Sequence, residues 1–274
     1  MIGALAKLAI AGTVIIGAMT TAQAADTLAK VKQKSEIVVG IKNDYKPWGY
    51  LDPSGKNVGL EIDLANDVAK RIGVKIELVP VTAANRMEFL QQGRIDVIIA
   101  TMSNLKERQK IVGMIEPEYY AGATNILAPK FAGLKTWQDL KDKKVCAVGG
   151  TYYNRRVDKL YGPDLLVFPT TQDALNALQS GNCIAFLYDF ALITSILSSD
   201  DPKWANYEMP LVSEDPQVWA MGVRLDDLNG PFGKFLKETS IEWHRSGMLI
   251  ALEKKYGIKS SPYLLEMHNK LKDK

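Results

Sequence analysis

The chain has only two cysteines and two histidines in 274 residues. That scarcity excludes a cysteine-framed miniprotein and leaves little from which to build a zinc or haem site. An excess of one charge is also missing. Lys and Arg number 34 against 31 Asp and Glu, a formal net charge of +3, too mild to argue for nucleic acid or an anionic membrane surface. Low-complexity stretches are absent and charge is scattered, as in a soluble globular chain. Some 250 residues follow the first 24, more than one core usually organises, so two lobes are expected.

Residues 1–24 have the pattern of an export leader. Lys7 is their only charge, Leu8 to Met19 form a short apolar core, and Ala22-Gln23-Ala24 is a small-x-small cleavage site. The apolar core is too short to span a bilayer. The mature chain is expected to begin near Ala25, in an oxidising compartment. Cys146 and Cys183 each stand at the start of an apolar run, so a disulfide between neighbouring strands is expected there. A metal site is not expected, since His244 and His268 lie far from both; a free thiol is the alternative.

The chemistry concentrates in Ala100-Thr101-Met102-Ser103-Asn104-Leu105-Lys106-Glu107-Arg108. An apolar run, Ile95 to Ala100, reads as a buried strand and stops at a cluster of hydroxyls with a guanidinium just beyond. Ligands of open α/β sheets collect at such carboxyl ends. Thr101, Ser103 and Arg108 suit a small carboxylate, the Arg fork taking both oxygens. The bland alternative is a polar loop leading into a solvated helix.

A second copy of the pattern favours the site. Leu90-Gln91-Gln92-Gly93 leads through an apolar run to Thr101, and Leu178-Gln179-Ser180-Gly181 leads through another to Asp189. Two helix–Gly–strand units imply two similar α/β lobes, one offering a cation and the other an anion. Such a pair would clamp a zwitterion.

Along the chain, Glu36 to Ile41 is a strand and Tyr50-Leu51 with Asn57-Val58 a hairpin across Asp52-Pro53-Ser54-Gly55. A helix is predicted from Asp63, as its cap, to a stop at Gly73. Thr151 is a second cap candidate, and the Gly149-Gly150-Thr151 loop forms an anion-friendly corner. Two extended runs, Ala123 to Ala128 and Val218 to Val223, are expected to cross between lobes, leaving the first lobe discontinuous: 25–125 with 223–274, and 126–222 for the second. The long amphipathic helix from Pro231 packs back on the first lobe, and Met248 to Tyr256 is the last clear helix.

Several segments together resemble the polar amino-acid-binding members of the bacterial periplasmic solute-binding proteins that serve ABC importers. They are Gly40 with Asp44-Tyr45, Pro47 and Trp48; Gly59 with Glu61, Asp63 and Leu64; Asn85-Arg86; Leu90, Gly93 and Asp96; Ser103 with Glu107-Arg108; Pro117 with Tyr119-Tyr120; Gly150-Thr151; and Gly181 leading to Asp189. The resemblance implies the α/β two-lobed type II periplasmic-binding fold: two mixed sheets flanked by helices, joined by a two-strand hinge. It implies a monomer that binds an amino acid without cofactor and docks on a membrane permease. Arg108 would then bind the ligand α-carboxylate with Thr101, Ser103 and Thr151, Gly150 completing that corner. Asp189 would bind the α-ammonium, and Tyr45, with Trp48, would pack on the ligand. One departure is Leu105, where the family often has a second Thr.

The position of Lys42 resembles the family's selectivity position, and Arg86 resembles a second Arg that contacts a distal carboxylate. Both imply aspartate or glutamate as ligand. Lys42 could instead be a solvated loop lysine or pair with Asp44, and Arg86 could brace the loop. A periplasmic prephenate or arogenate dehydratase is the rival reading, since its first loop resembles Asp44-Tyr45-Lys46-Pro47; Glu116 and Glu118 would be its candidate acids.

Overall fold

A computed structural model describes residues 26–273; the leader expected at 1–24 lies outside them. The chain folds into two α/β lobes. In the first, a five-stranded sheet runs Lys75–Pro80, Glu36–Ile41, Val97–Ile99, Gly222–Arg224, Val112–Met114. The first three strands are parallel, and Gly222–Arg224 is antiparallel to both neighbours. In the second, the order is Asp164–Phe168, Lys144–Val148, Ala185–Asp189, Tyr120–Pro129, Tyr207–Glu208, with Glu214–Trp219 also paired to Tyr120–Pro129. Each sheet therefore has a parallel trio whose carboxyl ends face the gap between lobes. Thr101 and Asp189, the matched polar residues, stand at those ends.

The chain changes sheets between Ile115 and Tyr120, earlier than expected, since the Ala123 to Ala128 run lies inside the Tyr120–Pro129 strand of the second sheet. It returns between Trp219 and Gly222, within the expected Val218 to Val223 run. The two crossings run side by side, Ile115 N–H donating to Met221 O and Tyr119 N–H to Trp219 O, both at 2.9 Å. The last helices hold the first crossing. The Ser240 hydroxyl donates to Pro117 O at 2.5 Å, while His244 Nε2 (2.7 Å) and the Tyr263 hydroxyl (2.9 Å) both donate to Glu118 O. Tyr263 belongs to a Pro262–Leu271 helix that follows the Met248–Lys255 helix expected to be the last. It and the Thr27–Lys34 helix are short and fixed by packing, so neither shows a long apolar stripe in sequence.

The Leu60–Ile72 helix buries Leu60, Leu64, Ala65 and Val68, one face at helical spacing. It starts three residues before the expected Asp63 cap. Its first-turn N–H groups are taken by main-chain carbonyls instead: Leu60 N–H donates to Pro47 O at 3.0 Å and Glu61 N–H to Trp48 O at 2.8 Å. No side-chain cap is then needed. Gly59 permits this approach, at φ +133° and with no room for a Cβ against the Trp48 carbonyl. Asp63 is freed to accept from Lys255 Nζ at 2.6 Å and the Tyr256 hydroxyl at 2.8 Å. Thr151 is not a cap either. The next helix is Tyr153–Tyr161, and the Thr151 hydroxyl lies 3.0 Å from Val148 O and 2.7 Å from Asn154 Oδ1.

Cys146 and Cys183 form a disulfide, Cα atoms 5.7 Å apart, across a sequence separation of 37. Cys146 lies inside the Lys144–Val148 strand and Cys183 just before Ala185–Asp189. Among the described residues no helix is long and apolar enough to cross a membrane.

Candidate functional site

A cavity of about 30 Å³ lies between the lobes. The first lobe lines it with Lys42, Tyr45, Ala83, Arg86, Thr101, Ser103 and Arg108; the second contributes Thr151, Tyr152, Tyr153, Tyr188 and Asp189; Trp219 reaches it from the return crossing. The lobes touch around it. Gly150, at φ +81°, lies so close to the Ala83-Ala84 backbone that a Cβ there would collide with it, and Arg108 Nη2 donates to Gly150 O at 3.3 Å.

Arg108 begins a single 3₁₀ turn, Arg108–Lys110. Its Nη1 donates to Ser103 O at 3.1 Å, and no carboxylate among the described residues forms a salt bridge with it. Burial pulls the guanidinium down to about 9, still charged at neutral pH, and an anion beside it would relieve that cost. The loop before it is held rigidly. Asn104 N–H donates to Val218 O at 2.8 Å and Ala220 N–H to Met102 O at 2.9 Å. Thr101 adopts φ +48°, rare for a branched residue, while its N–H donates to Glu61 Oε1 at 2.7 Å. Glu61 also accepts the Tyr119 hydroxyl. Burial raises the Glu61 carboxyl to about 7.

Asp189 ends its strand and caps the Phe190–Leu197 helix, Oδ1 accepting Ala191 N–H at 2.9 Å. Burial raises its carboxyl to about 7, because no cation pairs with it among the described residues. The consequence for stability has a definite sign. A folded-state value above the unfolded one near 4 means the native form binds the extra proton between these pH values. That stabilisation is present in full at about pH 4 and is lost as pH rises through about 7. The ligand-free protein is therefore expected to need less urea to unfold at pH 8 than at pH 5, with a shallower slope in Asp189→Asn. Equal slopes in the two proteins, measured by urea titration across that range, would remove Asp189 as the source.

Lys42 is only 2% exposed, and its Nζ lies 2.6 Å from Asp44 Oδ1. A solvated lysine is thus ruled out; the pairing with Asp44 that the sequence left open is what forms. Burial lowers the Lys42 ammonium and Asp44 only partly offsets it. Arg86 is also buried, donates through Nη1 to Ala100 O, and has its own charge weakened by burial.

Eight of the ten residues singled out from sequence therefore meet at one cavity. Trp48 and Gly150 do not line it. Trp48 stands one layer behind, edge-on to Tyr45 with ring centroids 5.4 Å apart and to Tyr120 at 5.5 Å. Gly150 contributes its carbonyl to Arg108. The wall residues outside those ten are Ala83, Tyr152, Tyr153, Tyr188 and Trp219; Tyr188 and Trp219 sit on segments read from sequence as strand and crossing, with no polar motif to mark them. Glu116 and Glu118, the candidate acids of the dehydratase reading, also lie off the wall. Each accepts from the Asn104 amide, at 3.2 and 2.8 Å.

The chain is similar to several known proteins. The chain is 34% identical over 190 residues to the glutamine-binding protein of an ABC transporter from Bacillus subtilis, covering 67% of this chain and 68% of that one. It is 28% identical over 236 residues to the glutamate/aspartate import solute-binding protein of Escherichia coli, covering 82% and 77%. The crystal structure of a cysteine-binding protein from Campylobacter jejuni superposes with TM-score 0.79 at 26% identity, covering 85% of this chain and 93% of that one. The fold is that of the type II periplasmic-binding proteins. The profile of the bacterial extracellular solute-binding proteins, family 3, matches residues 37–259, so the chain belongs to that family and is a binding protein rather than an enzyme.

Proposed function

We propose that this protein captures a polar L-amino acid as a zwitterion outside the cytoplasmic membrane and, as a monomer, delivers it to the permease of an ABC importer. One observation carries the reading: Arg108 from one lobe and Asp189 from the other line the same cavity, and neither has a salt-bridge partner among the described residues. The α-carboxylate takes the Arg108 fork with the Thr101, Ser103 and Thr151 corner, and the α-ammonium takes Asp189. Tyr45 packs on the ligand. Shutting the lobes excludes water and strengthens each of these charged contacts. A discontinuous first lobe and a continuous second, joined at these two crossings, belong to this proposal, and the leader expected at 1–24 supplies the export it needs.

The side-chain class is the finer question. With free charges, Lys42 and Arg86 on the wall would favour a second carboxylate, and with it aspartate or glutamate, the ligands named for the Escherichia coli relative; the ion pair of Lys42 with Asp44 weighs against them. A thermal-shift screen against the twenty amino acids tests the reading, because a ligand that binds only the native state raises its stability by mass action. One or a few amino acids are expected to raise the melting temperature, while the matching amine and the matching deaminated acid do not. A shift by either analogue alone would rule out the two-charge clamp.

A further inference from the structure

Asp44 lies just outside the cavity wall, and its carboxylate faces two ways. Oδ1 holds Lys42 Nζ at 2.6 Å. Oδ2 accepts the N–H of Thr171 at 3.0 Å. Thr171 is the first residue of the nine-residue Thr171–Gln179 helix, which belongs to the opposite lobe. The helix's own cap, Thr170, uses its hydroxyl on Asp173 N–H at 3.1 Å, so Asp44 takes a first-turn donor that this cap does not use. The positive end of the helix supports the negative charge on Asp44. Thr171 is itself buried, and its hydroxyl reaches Tyr188 on the cavity wall at 3.2 Å.

Three cations line the cavity: Lys42, Arg86 and Arg108. When the lobes are shut, Asp44 pairs with Lys42 at salt-bridge distance, and Arg86 is directed onto the Ala100 carbonyl. With Lys42 paired and Arg86 engaged by a main-chain carbonyl, Arg108 and Asp189 face the ligand with one charge of each sign, which matches an amino acid whose side chain carries no charge. A second carboxylate would have to compete with Asp44 for an ammonium already held at salt-bridge distance.

We infer that Asp44 determines specificity for this site: it masks Lys42 when the lobes meet and so selects an uncharged polar side chain over aspartate and glutamate. The inference rests on the amino-acid-binding reading above. Its test is calorimetric titration of wild type, Asp44→Asn and Lys42→Gln with glutamine, serine, cysteine, aspartate, glutamate, lysine and arginine. Wild type is expected to bind an uncharged member of the set. Asp44→Asn keeps an acceptor for Thr171 N–H but unmasks Lys42, so the ratio of acidic to neutral affinity should rise at least 10-fold. Lys42→Gln leaves Asp44 unpaired and should move preference toward lysine or arginine by a similar factor, which keeps the test open should Asp44→Asn fail to fold. Wild type that binds an amino acid, but whose ratios change in neither variant, overturns the role of Asp44 alone. Wild type that prefers aspartate or glutamate overturns it as well. Wild type that binds no amino acid removes the underlying reading, and this inference with it.

Discussion

Replacing Arg108 by alanine is expected to weaken amino-acid binding by roughly 30-fold or more, since truncating one partner of a buried charge pair costs about 2–5 kcal/mol. Most of that loss is the cost of enclosing a carboxylate with no cation beside it. The fold should not suffer. Arg108 donates only to two main-chain carbonyls, Ser103 O and Gly150 O, and burial already disfavours its charge. Removing it from the ligand-free protein relieves a desolvation cost while giving up two hydrogen bonds. Circular dichroism and the ligand-free melting temperature should therefore stay close to wild type while calorimetry loses its signal. Arg108→Lys keeps a charge without the planar fork and should recover only part of the affinity. Near-normal affinity in the alanine variant would refute the carboxylate assignment.

The second large effect is on stability. Opening the Cys146–Cys183 bond, by reduction or by replacing both residues with serine, is expected to cost about 4 kcal/mol, the chain-entropy estimate for this loop length. The sequence separation of 37 sets that size. The bond ties the Lys144–Val148 strand to the segment entering Ala185–Asp189, where Cys146 stands opposite Phe186, three residues before Asp189. The loss should therefore appear in urea unfolding of the second lobe, with affinity unchanged wherever the protein remains folded. Coincident unfolding curves for oxidised and reduced protein would contradict it.

These two expectations draw on different depths of information in the chain. The repeat Leu90–Gly93–Thr101 and Leu178–Gly181–Asp189 is local, and it places both polar ends because helix, turn and strand each carry their own signal. The start of the Leu60–Ile72 helix does not. Its first donors are satisfied by Pro47 and Trp48 carbonyls a dozen residues back, and no local pattern encodes that. Lys42 shows a different limit. Nothing in its neighbours distinguishes a solvated lysine from one held at 2% exposure, because the helix that helps anchor Asp44 begins 127 residues later, at Thr171. Trp219 and Tyr188 reach the cavity through packing alone, and an aromatic residue in a strand more often serves the core.

The grip of Ser240, His244 and Tyr263 on the carbonyls of Pro117 and Glu118 gives the far end of the chain a mechanical part. It bolts the root of one crossing to the frame of the first lobe, so any swing must be taken up beyond that point. In the proposed closure the tail would be the fixed handle, and the half that carries Asp189 the moving jaw.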